Sequence, residues 1–100
     1  MNSQNRKLFT PGTVVQHFKR TMQKYTDNSY LYLYMGEAKH TETGEEFVIY
    51  RAMYGELKMC ARPKEMFYSK VDREKYPDVE QEYRFEAYID ASRSDDYGCR

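Results

Sequence analysis

The sequence predicts a small, mainly β domain: an antiparallel, SH3-like curved sheet or barrel with one short helical turn and a C-terminal extension. Three observations predict it. Residues 30–35, Tyr-Leu-Tyr-Leu-Tyr-Met, are a run of aromatic and aliphatic side chains that suit a pleated, packed surface. Residues 83–89 alternate, with Tyr83, Phe85, Ala87 and Ile89 on one parity and Arg84 and Glu86 on the other. Further short β-prone runs stand between them, separated by Pro, Gly, Asn and Asp. A chain of 100 residues is too short for two large sheets, whereas a small curved sheet that closes on itself hides its edges.

The elements follow in order. Pro11-Gly12 marks a turn, because Pro presets φ and Gly accepts positive φ. Residues 13–19 then read as a short strand, and residues 20–29 as a long loop or one helical turn around Met22 and Tyr25. In the strand from Tyr30, the leucine parity (Leu31, Leu33) is expected to face inward. A bulge near Gly36 is expected to swap the buried parity, because Glu37 and Lys39 favour water. Gly44 supplies the positive φ of a tight connection over 41–45. Residues 46–54 form the next strand, Gly55-Glu56 the next turn, and residues 57–62 a third strand of the meander. Pro63 ends that strand, having no amide hydrogen for the ladder, and opens a helical turn to Phe67. Phe67, Tyr68 and Val71 return the chain to the core. Residues 72–82 are charged and broken by Pro77, a loop or a short helix after that proline. The whole is expected to be a single domain, with a core of about 9–89 and a flexible tail over 90–100.

Charge narrows the function classes. Sixteen Lys plus Arg balance sixteen Asp plus Glu, which argues against a large field for non-specific DNA or membrane binding. The balance is uneven along the chain: residues 1–70 hold eleven basic and seven acidic groups, and residues 71–100 hold five and nine. No apolar stretch approaches the length of a membrane span, and no signal peptide is expected from the polar start. The two cysteines, Cys60 and Cys99, have no CxxC spacing, so a reduced, cytoplasmic protein is the expectation.

A set of short pieces carries a family pattern: His17-Phe18-Lys19, His40-Thr41-Glu42-Thr43, Glu46, the run Val-Ile-Tyr-Arg-Ala-Met-Tyr-Gly over 48–55, and Arg62-Pro63 with Met66-Phe67. In this order they resemble the DUF1653 family of small bacterial proteins. The resemblance covers about residues 9–71, with Arg84-Phe85 as a looser continuation. It implies no activity, cofactor or catalytic residue. Two departures stand out. Arg20 occupies a position where relatives tend to have Gly, and Cys60-Ala61 precede Arg62 where relatives tend to carry a Trp.

The chemistry-bearing residues admit several readings. The preferred one is a non-catalytic binding module for a protein, a peptide or a small anionic ligand. Its expected site is a shallow polar-aromatic patch of His17, Lys19, His40, Tyr50 and Arg62, whose imidazole, ammonium, phenol and guanidinium groups together grip an anion. Arg62 is expected either to pair with Glu42 or Glu46 or to bind a ligand's anionic group. The runner-up is single-stranded nucleic-acid or RNA binding, on a platform of Tyr32, Tyr34, Tyr50 and Tyr54 flanked by cations. A small enzyme pairing Cys60 with His17 or His40, or a metal site joining the histidines to Glu42, Glu45, Glu46 or Cys60, is less economical, since no spacing forces those groups together. No cofactor motif, Walker loop, dinucleotide glycine pattern or HExxH is present.

Overall fold

A computed structural model describes residues 8–89; the expected tail over 90–100 lies outside the described residues. Five strands are formed: β1 (Val14–His17), β2 (Leu31–Lys39), β3 (Glu46–Ala52), β4 (Met59–Pro63) and β5 (Phe85–Ala87). A 3-10 turn (Phe18–Met22) follows β1, and a single helical turn, α1 (Lys64–Phe67), follows β4. All pairings are antiparallel, in the order β4-β3-β2-β1-β5.

The sheet is therefore mainly β as expected but open. β4 and β5 are its two edges and do not pair, so the closed SH3-like barrel is not formed. The reason lies after β4. Pro63 cannot donate to a ladder, and α1 then inserts Phe67 where a closing strand would run. The chain next makes an isolated bridge, Lys70 with Tyr83, before entering the three-residue β5.

The inner face of the sheet is the tyrosine face, which corrects the leucine-inward expectation. Tyr34 pairs with Tyr50 and Tyr50 with Cys60, so the three share one side of the sheet. Tyr34 is 2% exposed, and the core gathers Val15, Tyr34, Val48, Tyr50, Phe67, Tyr68 and Phe85. Phe67 and Phe85 stack with centroids 4.2 Å apart. Tyrosines can fill this thin core because each hydroxyl finds a partner. Tyr68 donates to the Tyr34 oxygen at 3.3 Å, and the Tyr32 and Tyr54 hydroxyls meet at 2.7 Å. On the opposite parity Leu31 is buried and Leu33 half-buried.

The bulge falls where the sequence places it. The β2–β3 register shifts between Tyr34 and Gly36, leaving Met35 40% exposed and Gly36 at φ +141°. Its effect on parity is the reverse of the expected one: the shift moves Glu37 onto the core-facing parity, opposite Val48, where Lys64 Nζ meets its carboxylate at 3.1 Å. The final strand is shorter than its alternation suggests. Phe85 is fully buried and Tyr83 half-buried, but Ala87 is exposed and Ile89 is 78% exposed. The β1 ladder ends there, at the Tyr88 amide donating to Val14 O, and no layer among the described residues covers Ile89.

Candidate anion-binding pocket

The site is built where β1 ends. His17 lies on the inner face opposite Phe85, and its Nδ1 accepts the Lys19 amide at 3.1 Å, capping the 3-10 turn. Because Nδ1 is an acceptor, the neutral ring carries its proton on Nε2. The same turn presents Lys19 and seats Phe18, whose amide donates to Arg84 O at 2.9 Å. That bond ties the 3-10 turn to the approach to β5.

Two arginines come from opposite edges of the sheet. Arg62 sits on β4 opposite Val48; its Nε donates to the Tyr50 hydroxyl at 3.0 Å, and its guanidinium carbon lies 5.7 Å from the centroid of Phe85. Arg84 precedes β5, and its Nε donates to Ser69 Oγ at 3.3 Å. The loop after α1 supplies the remaining wall. The Asp72 carboxylate accepts the Glu74 amide at 3.0 Å, and Asp72 O accepts the Tyr76 amide at 2.9 Å. This turn holds Lys75 and Tyr76 in place, with the Tyr76 ring 4.8 Å from that of Phe18. The resulting concavity, about 260 Å³, is bordered by His17, Lys19, Arg62, Asp72, Lys75, Tyr76 and Arg84.

Its electrostatics are one-sided. Among the described residues the ion pairs engage Lys58, Lys64 and Lys70; Lys19, Arg62, Lys75 and Arg84 have no carboxylate within 4 Å. His17 is 8% exposed. Burial, then the charges of Arg62, Arg84 and Lys19, lower its pKa to about 3, so it is neutral at pH 7. Burial first and Arg62 second also lower the pKa of Arg84. Four cations thus share a small space with one carboxylate, itself committed to its turn.

A larger concavity of about 660 Å³ lies beside Lys64, with Glu45, Glu46 and Glu65 on its wall. Its one cation is already paired with Glu37 and Glu46, so it lacks this charge excess.

Of the five residues singled out from sequence, His17, Lys19 and Arg62 border the pocket. Tyr50 stands behind it as the hydrogen-bond acceptor for Arg62. His40 does not belong to it: exposed at the end of β2, its Nδ1 accepts the Glu42 and Thr43 amides at 3.2 Å and caps the hairpin. Arg62 pairs with neither Glu42 nor Glu46; Glu46 faces Lys64. Sequence reading passes over Lys75, Tyr76 and Arg84, because a charged loop and the polar parity of a strand both read as solvated surface. The only sequence signal toward them is Arg84-Phe85 as a continuation of the family pattern.

The alternative chemistries meet the same geometry. Tyr34 and Tyr50 are buried, so the four tyrosines do not make a stacking platform. Cys60 Sγ lies 3.7 Å from Lys58 O, and neither histidine is hydrogen-bonded to it. Among the described residues no group of three or more His, Cys, Asp and Glu side chains is placed to hold a metal. No helix among them is long and apolar enough to cross a membrane.

Fold and pocket together define a small, mainly β domain of five antiparallel strands and one short helix. The chain belongs to the DUF1653 family, described as a protein of unknown function, which it matches over residues 13–87, a span that includes every residue of the pocket. No curated protein and no solved structure matches it.

Proposed function

We propose that this domain is a non-catalytic binding module for a small anionic ligand, whose anionic group sits among Lys19, Arg62, Lys75 and Arg84. The observation that carries the reading is the set of four cations bordering one concavity without carboxylate partners. Like charges held together raise the energy of the empty site, and an anion relieves that repulsion on binding. The buried, neutral His17 adds an N–H donor without adding charge. In this reading one domain of about residues 9–89 carries the whole site, and a cytoplasmic setting agrees with the free thiol of Cys60.

The test is a calorimetric or NMR titration of the full chain at low salt with acetate, sulfate and inorganic phosphate. Saturable binding of at least one oxyanion is expected, weakened several-fold in Lys75→Gln, an exposed loop change that leaves the core intact. Absence of saturable binding by all three would sink the reading.

A further inference from the structure

The charge balance and the geometry of the two arginines say more about the anion. Both are anchored through Nε, Arg62 to Tyr50 and Arg84 to Ser69. Anchoring at Nε fixes each guanidinium plane and leaves both terminal nitrogens of each without a protein acceptor among the described residues. Two preorganised forks on one cavity present four N–H-bearing nitrogens as two bidentate pairs; a planar carboxylate takes one such pair end-on, whereas a tetrahedral oxyanion has oxygens enough for both. Lys19 and Lys75 add two point charges, and Asp72 removes one. A monoanion would leave the pocket strongly cationic, whereas a dianion comes closer to neutralising it.

Resting on the anion-binding reading above, we infer that the pocket takes the phosphoryl dianion of a low-molecular-weight phosphomonoester, or inorganic phosphate itself, clamped between the Arg62 and Arg84 guanidinium groups. Size and surroundings favour a small ligand over a polyanion. The cavity is about 260 Å³; elsewhere among the described residues Lys58, Lys64 and Lys70 are each matched by a glutamate, and Arg20, Arg51 and Arg73 donate to backbone carbonyls. A nucleic-acid backbone needs a continuous positive track, and a terminal phosphate needs one focus.

His17 makes the inference separable by pH. The groups facing its ring are Lys19 from the 3-10 turn, Tyr30 before β2, Arg62 from β4 and Arg84 before β5, and Asp72 and Lys75 line the same cavity. With its pKa lowered to about 3, His17 stays neutral between about pH 5 and 7.5, so its protonation does not mimic that of the ligand over that range. A phosphomonoester loses its second proton with a pKa of about 6.

The experiment titrates the full chain with inorganic phosphate, phenyl phosphate, sulfate and acetate at about pH 5 and about pH 7.5. Phosphate and phenyl phosphate are expected to bind about tenfold or more tightly at the higher pH, sulfate equally at both, and acetate more weakly than either. Arg62→Lys keeps the charge and removes the fork; with an unchanged circular dichroism spectrum, it is expected to lose about tenfold in phosphate affinity and little in acetate affinity. Acetate matching phosphate, or phosphate affinity flat with pH, overturns the dianion inference and leaves the anion-binding reading standing. Binding of none of the probes overturns both. A short 5′-phosphorylated oligonucleotide binding far more tightly than phenyl phosphate, with affinity growing with its length, overturns the small-ligand assignment in favour of nucleic acid.

Discussion

His17 shows how one side chain can serve both fold and site. Its Nδ1 closes the 3-10 turn, its ring packs 5.1 Å edge-on to Phe85, and its burial among three cations keeps it neutral. The unfolded chain protonates this histidine near 6.5 and the folded chain near 3. Between those values the unfolded state holds more protons, so stability is full above about pH 6.5 and falls as pH drops toward 3. His17→Asn keeps an acceptor for the Lys19 amide and cannot titrate. Urea denaturation at pH 7 and pH 4.5 is expected to show a smaller acid-induced loss in the variant than in the parent, by about 1–2 kcal/mol. Equal losses would mean that His17 is not held neutral. Arg62 carries a second residue-scale expectation. Lysine at this position lacks the Nε that bonds Tyr50 and spreads less well over Phe85, so Arg62→Lys should cost about 1 kcal/mol of stability in thermal melts.

At the scale of elements, β2 is the strand on which the rest is registered. It pairs with β1 on one side and β3 on the other, and its bulge decides which residues face the core at each end. Tyr34 before the bulge and Glu37 after it share a face only because Met35 and Gly36 take up the extra residue. Gly36 is required by its backbone rather than by crowding. A Cβ there would meet nothing closer than Pro11 Cγ at 4.0 Å, but φ of +141° is a conformation that L side chains rarely adopt. Gly36→Val should therefore cost about 2–3 kcal/mol, or force the register to slip, and hydrogen exchange of the Glu37 and Ala38 amides would report either outcome as lost protection. The long 18–30 connection is held in another way. Both bonds come from one nitrogen of Arg20, reaching Asp27 O at 2.9 Å and Ser29 O at 2.7 Å. Arg20 thus anchors this long loop on the approach to β2.

At the scale of the whole molecule, Phe67 and Phe85 occupy the space between the edges of an open sheet. Tyr34 and Tyr50 pack against Phe67, and Tyr32, Tyr50 and Arg62 against Phe85. Removing the Phe67 ring leaves a cavity at the centre of this layer, at a cost of about 3–5 kcal/mol. A domain of this size has about 5–15 kcal/mol to lose. Phe67→Ala is expected to lower the melting temperature by more than 10 °C, at about 4–8 °C per kcal/mol, and to loosen the pocket, because Arg62 and Arg84 are oriented from the two edges that Phe67 and Phe85 hold in position. A melting temperature within a few degrees of the parent would show that the sheet edges are held by something else.

Much of this molecule follows from local chemistry that the sequence displays. The strand-favouring run at 30–35, the glycines at 36 and 44, and the proline that ends β4 act within a few residues of themselves, so β2, β3, β4, the bulge and the helical turn are legible without tertiary information. The chemical types of His17, Lys19 and Arg62 likewise mark them as candidates for an anion site before any fold is known. Other features were decided only when distant parts met. Both parities of residues 30–35 are apolar enough to bury, and the tyrosines face inward because Tyr50, Tyr54 and Tyr68, up to 34 positions away, supply ring contacts and hydroxyl partners. The sheet stays open because Phe67 fills the gap that a fifth pairing, between β4 and β5, would close. Lys75 and Arg84 join the pocket, and His40 is left outside it, because the chain after α1 folds back along residues 69–71 and 82–84 to the end of β1. Local propensity acts over a few residues, whereas the choice of buried face and the convergence of charges depend on loop closures spanning tens of residues, whose outcome is set by the packing of the whole core.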